Sequence, residues 1–196
     1  DIQWFSVVVN VDFINILVND IQTTNTSKGS VGWNDQNNTQ GMGLTYHDSS
    51  MVYESGLMVG TSASVSDNVR GATAGTNDTD FKKLYSIRQD VPSVVSDFDL
   101  SGAFADNGTG STPLPITVRH RSFAWTAAPN NKFVIYRYCI KNTGTSLLDG
   151  LYAGIFTDWD ITSASYQNDR ASFDAANRLG YVYNTSSNQY GGTKLL

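Results

Sequence analysis

The sequence predicts an all-β protein, an antiparallel β-sandwich with long polar loops and at most one short helix. Hydrophobic residues mostly alternate with polar ones, as in a half-buried strand, and turn-forming residues recur about every 8–12 positions. Charged residues make up 16% of the chain, against about 25% in an average protein, and Asn, Ser, Thr and Gly replace them. Glu54 is the sole glutamate, which excludes a coiled coil or a Glu-rich helical bundle.

The length of 196 residues suits one domain, and the chain shows neither an internal repeat nor a linker. We therefore expect a single sandwich domain over residues 1–196. Because the chain starts at Asp1 and stops at Leu196 within a predicted strand, we expect it to be a fragment of a longer protein. A net charge of −5 argues against a nucleic-acid groove, and no run of about 20 apolar residues predicts a membrane span.

The first predicted strand occupies residues 7–18, where the alternation changes phase after Phe13, as it does at a β-bulge. Residues 22–39 are rich in Asn, Thr, Ser and Gly and predict a polar loop, anchored by Val31 and Trp33. Residues 41–46 and 51–61 predict a hairpin that turns at residues 47–50. Gly56 and Gly60 in its second strand indicate bulges or close backbone approach.

Residues 81–87 predict a strand, and residues 97–110 a polar excursion. Residues 116–125 alternate clearly. Residues 132–141 are apolar on both faces, which predicts a central strand with Cys139 buried as a small hydrophobic residue. Residues 151–156 predict another strand, and residues 179–183 and 190–196 a final pair. The single helix candidate is residues 171–179.

The densest acidic cluster follows the strand at 151–156, and Asp158 and Asp160 in it are predicted to share one side of the chain. Three interpretations remain open. The two carboxylates, with Asn168 and Asp174, could supply oxygen ligands to Ca²⁺. Asp158 and Asp160 could form the acid/base pair of a glycoside hydrolase. The acidic side chains could simply accept hydrogen bonds in turns.

The remaining polar motifs predict no catalytic site. We expect the pairs Asp78/Asp80 and Asp97/Asp99 to lie in solvated loops. His47 and His120 have neither zinc-ligand spacing nor a Gly-x-Ser-x-Gly motif beside them. Residues 119–121 predict a solvated sheet face on which the arginines pair with Asp.

The aromatic residues have two interpretations. The chain has ten Tyr and four Trp, namely Trp4, Trp33, Trp125 and Trp159. Strands commonly use such rings for packing. The alternative is a carbohydrate-binding surface, since flat rings can stack on sugar faces.

Four segments carry a resemblance to a known family. Residues 53–61, 65–70, 138–142 and 151–161 resemble a β-rich accessory domain of large secreted Bacteroidetes proteins, cargo of the type IX secretion route. In some of these proteins the domain follows a subtilisin-like serine protease domain. The resemblance covers residues 29–196 and implies a secreted or cell-surface bacterial module without catalytic residues.

Together these observations predict a non-catalytic structural, accessory or binding module. Its expected partners are neighbouring domains of the same chain, with a glycan as a further candidate and Ca²⁺ as the one candidate cofactor. A carbohydrate-binding module that uses exposed Trp and Tyr is the first alternative. A glycoside hydrolase-like enzyme that uses Asp158 and Asp160 is the second.

Overall fold

The computed structural model describes residues 11–69, 78–106 and 112–196, and this part of the chain is all-β with no α-helix. The predicted fold class is thereby confirmed. Two short 3-10 turns lie at Asn130–Lys132 and Tyr166–Asn168. In chain order the strands are β1 (Phe13–Ile16), β2 (Ile21–Thr26), β3 (Ser30–Val31), β4 (Leu44–Tyr46), β5 (Ser49–Gly60), β6 (Val65–Ser66), β7 (Phe81–Gln89), β8 (Phe98–Asp106), β9 (Ile116–Ala124), β10 (Val134–Asn142), β11 (Tyr152–Trp159), β12 (Asp169–Asp174), β13 (Leu179–Asn184) and β14 (Tyr190–Lys194).

The strands form three antiparallel sheets. The seven-stranded sheet has the order β1-β2-β3-β5-β11, with β4 alongside β2 and β5 and with β6 alongside β5. The four-stranded sheet has the order β10-β9-β8-β7, and the three-stranded sheet has the order β12-β13-β14. Strands β10 and β11 are thus edge strands of the two larger sheets, and they follow each other in the chain.

The two larger sheets pack face to face as a sandwich around two apolar clusters. The first joins Leu57 and Val59 of β5 to Phe104 of β8 and Val118 of β9. The second joins Ile16 of β1 to residues of β7, β8 and β9. Burial of these aliphatic and aromatic side chains is the main favourable contribution to folding.

The three-stranded sheet packs against the seven-stranded sheet through a third apolar cluster. Met51, Val52 and Ile161 form its buried centre, and Trp159 and Val182 lie against it. Gly191 of β14 leaves room for the Trp159 ring, which occupies the place that a side chain would take there. One face of the three-stranded sheet is therefore packed and the other faces solvent.

The predicted hairpin at residues 41–61 is confirmed as β4 and β5. Its turn residues His47 and Asp48 have φ of 47° and 63°, the left-handed region that a tight hairpin turn requires. The close approach predicted at the glycines of β5 is also present. A Cβ on Gly56 would lie 2.8 Å from Val69 Cγ1, and one on Gly60 would lie 2.8 Å from the Ser64 carbonyl oxygen.

The predicted loop over residues 22–39 is wrong in its first half, where β2 and β3 run through the seven-stranded sheet. The side chains from Thr23 to Thr26 are all buried. Several of their polar atoms find partners inside the protein: Thr24 Oγ1 donates to Asn15 Oδ1 at 2.6 Å, and Ser122 Oγ donates to Asn25 Oδ1 at 2.9 Å. Asn25 Nδ2, in contrast, is buried with no hydrogen-bond partner among the described residues. Hydrogen bonding therefore makes a buried polar strand tolerable here.

Residues 97–110 were predicted as a polar excursion, but Phe98–Asp106 is strand β8, in the middle of the four-stranded sheet. Leu100, Ala103 and Phe104 of this strand are buried. Residues 107–110 lie outside the described residues. Asp residues at both ends of the strand hide its apolar pattern in the sequence.

The predicted central strand at residues 132–141 is an edge strand, β10, and Cys139 is exposed on it. Tyr138 and Ile140 point toward the apolar cluster between the sheets, so Cys139 points away from it. The apolar character of both faces thus does not reflect a central position in the sheet.

The predicted helix at residues 171–179 is also wrong, because this segment contains the end of β12, a turn and the start of β13. Asp174 Oδ1 accepts the Asn177 N–H at 3.1 Å, and Arg178 has a φ of 51°, so local hydrogen bonds close a turn instead of a helix. Of the first predicted strand, residues 7–10 lie outside the described residues, and β1 begins at Phe13.

Candidate functional site

At the end of β11, the carboxylate of Asp160 lies within electrostatic range of Asp158 and of Asp169 at the start of β12, and we call these three residues the acidic cluster. A register shift at Asp158 and Trp159 interrupts the pairing with β5, so the simple alternation used for the prediction does not hold there. Desolvation raises the pKa of Asp160, and the negative charges of Asp158 and Asp169 raise it further.

Hydrogen bonds from Ile161 and Asn184 hold the carboxylate of Asp169 in this cluster. Its Oδ2 accepts the Ile161 N–H at 2.9 Å, and its Oδ1 accepts a hydrogen bond from Asn184 Nδ2 at 2.7 Å. Asn184 is buried, and its Nδ2 also lies 2.9 Å from the Ser165 carbonyl oxygen. The amide of Asn184 thus ties β13 to the segment that follows β11.

The structure does not gather the four predicted calcium ligands at one point. Asn168 donates its side-chain amide to Ser186 Oγ at 2.9 Å. Asp174 lies at the opposite end of β12 from Asp169, about 17 Å away at the usual rise of a strand, and it accepts hydrogen bonds from Asn177. In the described ranges, no group of three or more His, Cys, Asp or Glu side chains could hold a metal ion.

Replacing Asp160 with Asn should raise the stability of the metal-free domain at pH 7 by about 0.5 kcal/mol, a typical value for solvent-screened charges. The folded-state pKa of Asp160 is raised, so its ionised form disfavours folding above the unfolded-state pKa. The gain should therefore vanish as the pH falls through 4 and the wild-type carboxyl is protonated. Urea unfolding at pH 7 and pH 3.5, in chelator, measures it.

The same variant tests the calcium prediction. If Ca²⁺ binds at Asp160, adding it should raise the melting temperature of the wild type and leave Asp160→Asn unchanged. Asp174→Asn is the matched control, since it changes a carboxylate outside the cluster. If millimolar Ca²⁺ does not change the melting temperature of the wild type, the calcium interpretation is wrong. The interpretation that these acidic side chains accept hydrogen bonds in turns would then stand.

Asp99 was predicted to lie in a solvated loop, but its side chain is fully buried. The carboxylate accepts the N–H groups of Val94, Val95 and Ser96, each at 2.9 Å, and lies 3.3 Å from Arg121 Nη2. Burial alone would raise the pKa of Asp99, but the hydrogen bonds from Ser96 and these backbone amides outweigh it and lower the pKa. The carboxylate therefore organises the loop before β8.

Asp80, from the other pair that was predicted to lie in a solvated loop, is buried as well.

The variant Asp99→Asn should lose about 2 kcal/mol of unfolding free energy at pH 7, because an amide replaces a charged acceptor of several hydrogen bonds. A lowered pKa stabilises the fold above the unfolded-state value of 3.8, and this contribution is lost as the pH falls through the folded-state pKa. The difference in unfolding free energy between the wild type and Asp99→Asn should thus be smaller at pH 3 than at pH 7. Asp97→Asn, at an exposed carboxylate that accepts hydrogen bonds from Thr126, is the control and should lose less.

His120 faces the core, which corrects the prediction of a solvated face for residues 119–121. Its ring lies between Phe104 and Tyr138, with centroids 5.5 Å and 6.4 Å away, and its Nε2 has no hydrogen-bond partner among the residues that the structure describes. Desolvation lowers the pKa of His120 to about 4. Arg121, in contrast, pairs with Asp90 and Asp99, as was expected of the arginines.

Besides the acidic cluster, a second candidate binding surface lies on the solvent side of the three-stranded sheet. Tyr183 and Tyr190 are cross-strand partners with ring centroids 5.8 Å apart, and the Tyr181 ring lies 6.3 Å from Tyr183. We call these three side chains the tyrosine face. Tyr190 is exposed, whereas Tyr181 and Tyr183 are half-buried, as are Trp33, Trp125 and Trp159. Trp4 lies outside the described residues.

A third surface lies where β10 and β11 leave the sandwich open. Ile155 and Ala153 of β11 are the register partners of Leu57 and Val59, so they face the interior of the sandwich. Ala153 is nevertheless exposed, and Ile155 is 40% exposed. Leu147, in the connection between β10 and β11, is 86% exposed. We call these three residues, with the unpaired side of β11, the open edge.

Comparisons with known proteins identify no relative. No family model, no curated protein and no solved structure matches this chain. In the described part of the chain, no helix is long and apolar enough to cross a bilayer. The resemblance to accessory domains of secreted Bacteroidetes proteins therefore stays a prediction, and the three surfaces described above are the basis for any functional inference.

Proposed function

We propose that this domain is a non-catalytic accessory module of an exported or cell-surface bacterial protein, and that it packs against a neighbouring domain of the same chain through the open edge. The low content of charged residues, with Asn, Ser, Thr and Gly in their place, supports export. The observation that carries the proposal is the exposure of Ile155 and Ala153 on the inward side of an edge strand.

The position of these residues distinguishes them from scattered surface hydrophobic residues. Single exposed apolar side chains are common on any protein, whereas a row of inward-facing ones at a sheet edge leaves apolar area in water. Covering that area contributes about 25 cal/mol for each Å² of apolar surface removed from water. An added element at this edge would therefore complete the sandwich.

The backbone of β11 gives a second reason. In the described residues, β11 pairs with β5 on one side, and no strand pairs with its other side. An unpaired strand edge exposes N–H and C=O groups that can accept another strand, and proteins usually cover or block such edges. A strand or loop of a neighbouring domain would supply both backbone hydrogen bonds and apolar contacts.

The test compares the isolated domain with the full-length parent protein. Amides of β11 should exchange hydrogen more slowly in the parent, and the domain should melt at a higher temperature there. Ile155→Lys should remove both differences while it changes the isolated domain little. Leu84→Lys is the matched control. Leu84 is also exposed, but it lies on β7, the edge strand of the four-stranded sheet that is farthest from β10.

Two results would refute the proposal. Equal exchange of β11 amides in the domain and the parent would show that nothing covers this edge. An effect of Leu84→Lys equal to that of Ile155→Lys would show that the edge has no special role.

A further inference from the structure

We propose that the tyrosine face binds a neutral linear oligosaccharide. This inference goes beyond the accessory role, since it concerns a different surface and does not require a neighbouring domain. It rests on the arrangement of side chains that the antiparallel register imposes on β12, β13 and β14.

The register places nine residues of the three strands on the solvent side of the sheet, in three cross-strand rows. Residues opposite each other in antiparallel strands share a face, and residues two apart on a strand do too. The rows are Arg170–Tyr183–Tyr190, Ser172–Tyr181–Gly192 and Asp174–Leu179–Lys194. The face spans about 14 Å along β13, at the usual rise per strand residue, which suits a short oligosaccharide.

The packing of the sheet leaves this face free. Val182 and Gly191, which point to the other side, lie against the cluster that contains Trp159. The tyrosines therefore do not contribute to that core. Tyr190 is 65% exposed, and Tyr181 and Tyr183 are half-buried.

The geometry of the rings suits a chain of sugars. The Tyr183 and Tyr190 rings are close to parallel, at an angle of 24°, and Tyr181 and Tyr183 lie at 33°. Centroid separations of 5.8 Å and 6.3 Å are comparable to the length of one pyranose unit in a chain. Near-parallel rings this close together turn their faces partly toward each other, so the C–H groups of a sugar face can contact the exposed side of the Tyr190 ring, whose π face carries partial negative charge.

An open depression of about 770 Å³ adjoins the rings, and Leu179, Tyr181, Tyr190 and Gly192 are among its lining residues. Gly192 lets Leu179 and Tyr181 pack closely against the backbone of β14, since a Cβ there would lie 2.9 Å from the Gly180 carbonyl oxygen and 3.0 Å from Leu179 Cδ1.

The charges around the face are of both signs. Arg170 lies at one end, and Asp174 and Lys194 lie in the row at the other end. Hydrogen bonds from Asn177 are the main cause of the lowered pKa of Asp174, and Lys194 contributes to it. Sugar hydroxyls therefore find donors in the two basic side chains and an acceptor in the carboxylate.

The experiment is calorimetric titration of the intact domain with cellohexaose, xylohexaose, mannohexaose and chitohexaose. At least one should bind the wild type. Tyr190→Ala and Tyr181→Ala should each weaken that binding by about tenfold, the size expected for a lost ring contact. Tyr190→Phe should retain most of the affinity, because the ring remains.

Tyr152→Ala is the matched control, since Tyr152 is 74% exposed on β11 and lies outside the tyrosine face. Melting temperatures of all variants separate loss of binding from loss of folding. Absence of binding to all four oligosaccharides would overturn the proposal. So would equal effects of Tyr152→Ala and Tyr190→Ala, or a wild-type dimer in sedimentation that Tyr190→Ala converts to a monomer.

Discussion

Acidification from pH 7 to pH 4 should cost the domain about 3 kcal/mol of unfolding free energy through His120 alone. The pKa of this histidine is 6.5 in the unfolded chain and falls to about 4 on folding, because burial disfavours the charged ring. One pKa unit corresponds to about 1.4 kcal/mol. Between these two pH values the unfolded state binds the proton and the folded state does not. The free energy of unfolding therefore decreases as the pH is lowered.

Urea unfolding at several pH values, for the wild type and for His120→Gln, measures this contribution. The variant lacks the titrating ring, so its stability should change less over the same range, whatever its stability at pH 7. His47→Gln is the control, because His47 lies in the β4–β5 turn with an exposed side chain. Parallel pH profiles for wild type and His120→Gln would contradict a neutral, desolvated His120.

Phe104→Ala should destabilise the domain by about 4 kcal/mol, as is usual for a fully buried aromatic ring. Phe104 has no exposed surface and packs on Phe81, with ring centroids 4.6 Å apart. The end of its ring also lies against Gly29, where an added Cβ would be 2.7 Å from Cζ. Gly29 has no side chain that could fill the cavity, and its φ of 89° would strain a larger residue there.

Thermal and urea unfolding measure this loss. Phe173→Ala is a matched control, since Phe173 is 67% exposed on β12 and its removal should cost well under 1 kcal/mol. Similar losses for the two variants would show that the cluster around Phe104 does not hold the two large sheets together.

The sequence predicted most strands whose inward residues are apolar, but it missed β8, where Asp residues near both ends conceal the apolar pattern. Alternation located β9, and turn residues located the β4–β5 hairpin, because both signals are local. Strand β2 was missed because its inward residues, such as Thr23 and Asn25, are polar and depend on partners far away in the chain. The run of threonines was the available signal, since Thr favours extended backbone.

The candidate site was predicted only in part for the same reason. The closeness of Asp158 and Asp160 follows from their positions in the chain. The position of Asp169 depends on Asn184, its cross-strand partner, which is far away in the chain and reaches it through the pairing of β12 with β13. Likewise, the tyrosine face depends on the register of β13 and β14, and single-strand patterns do not contain that register.

The buried polar side chains of β2 restrict how this strand can be aligned with its neighbours. A shift by one residue would turn the inward side chains of any strand to the other face, and a shift by two would keep the face but change every cross-strand partner. In β2, displacement would separate Thr24 from Asn15 and Asn25 from Ser122, and each would leave desolvated polar atoms without partners. The centre of the sandwich thus selects a single native arrangement by penalising the alternatives.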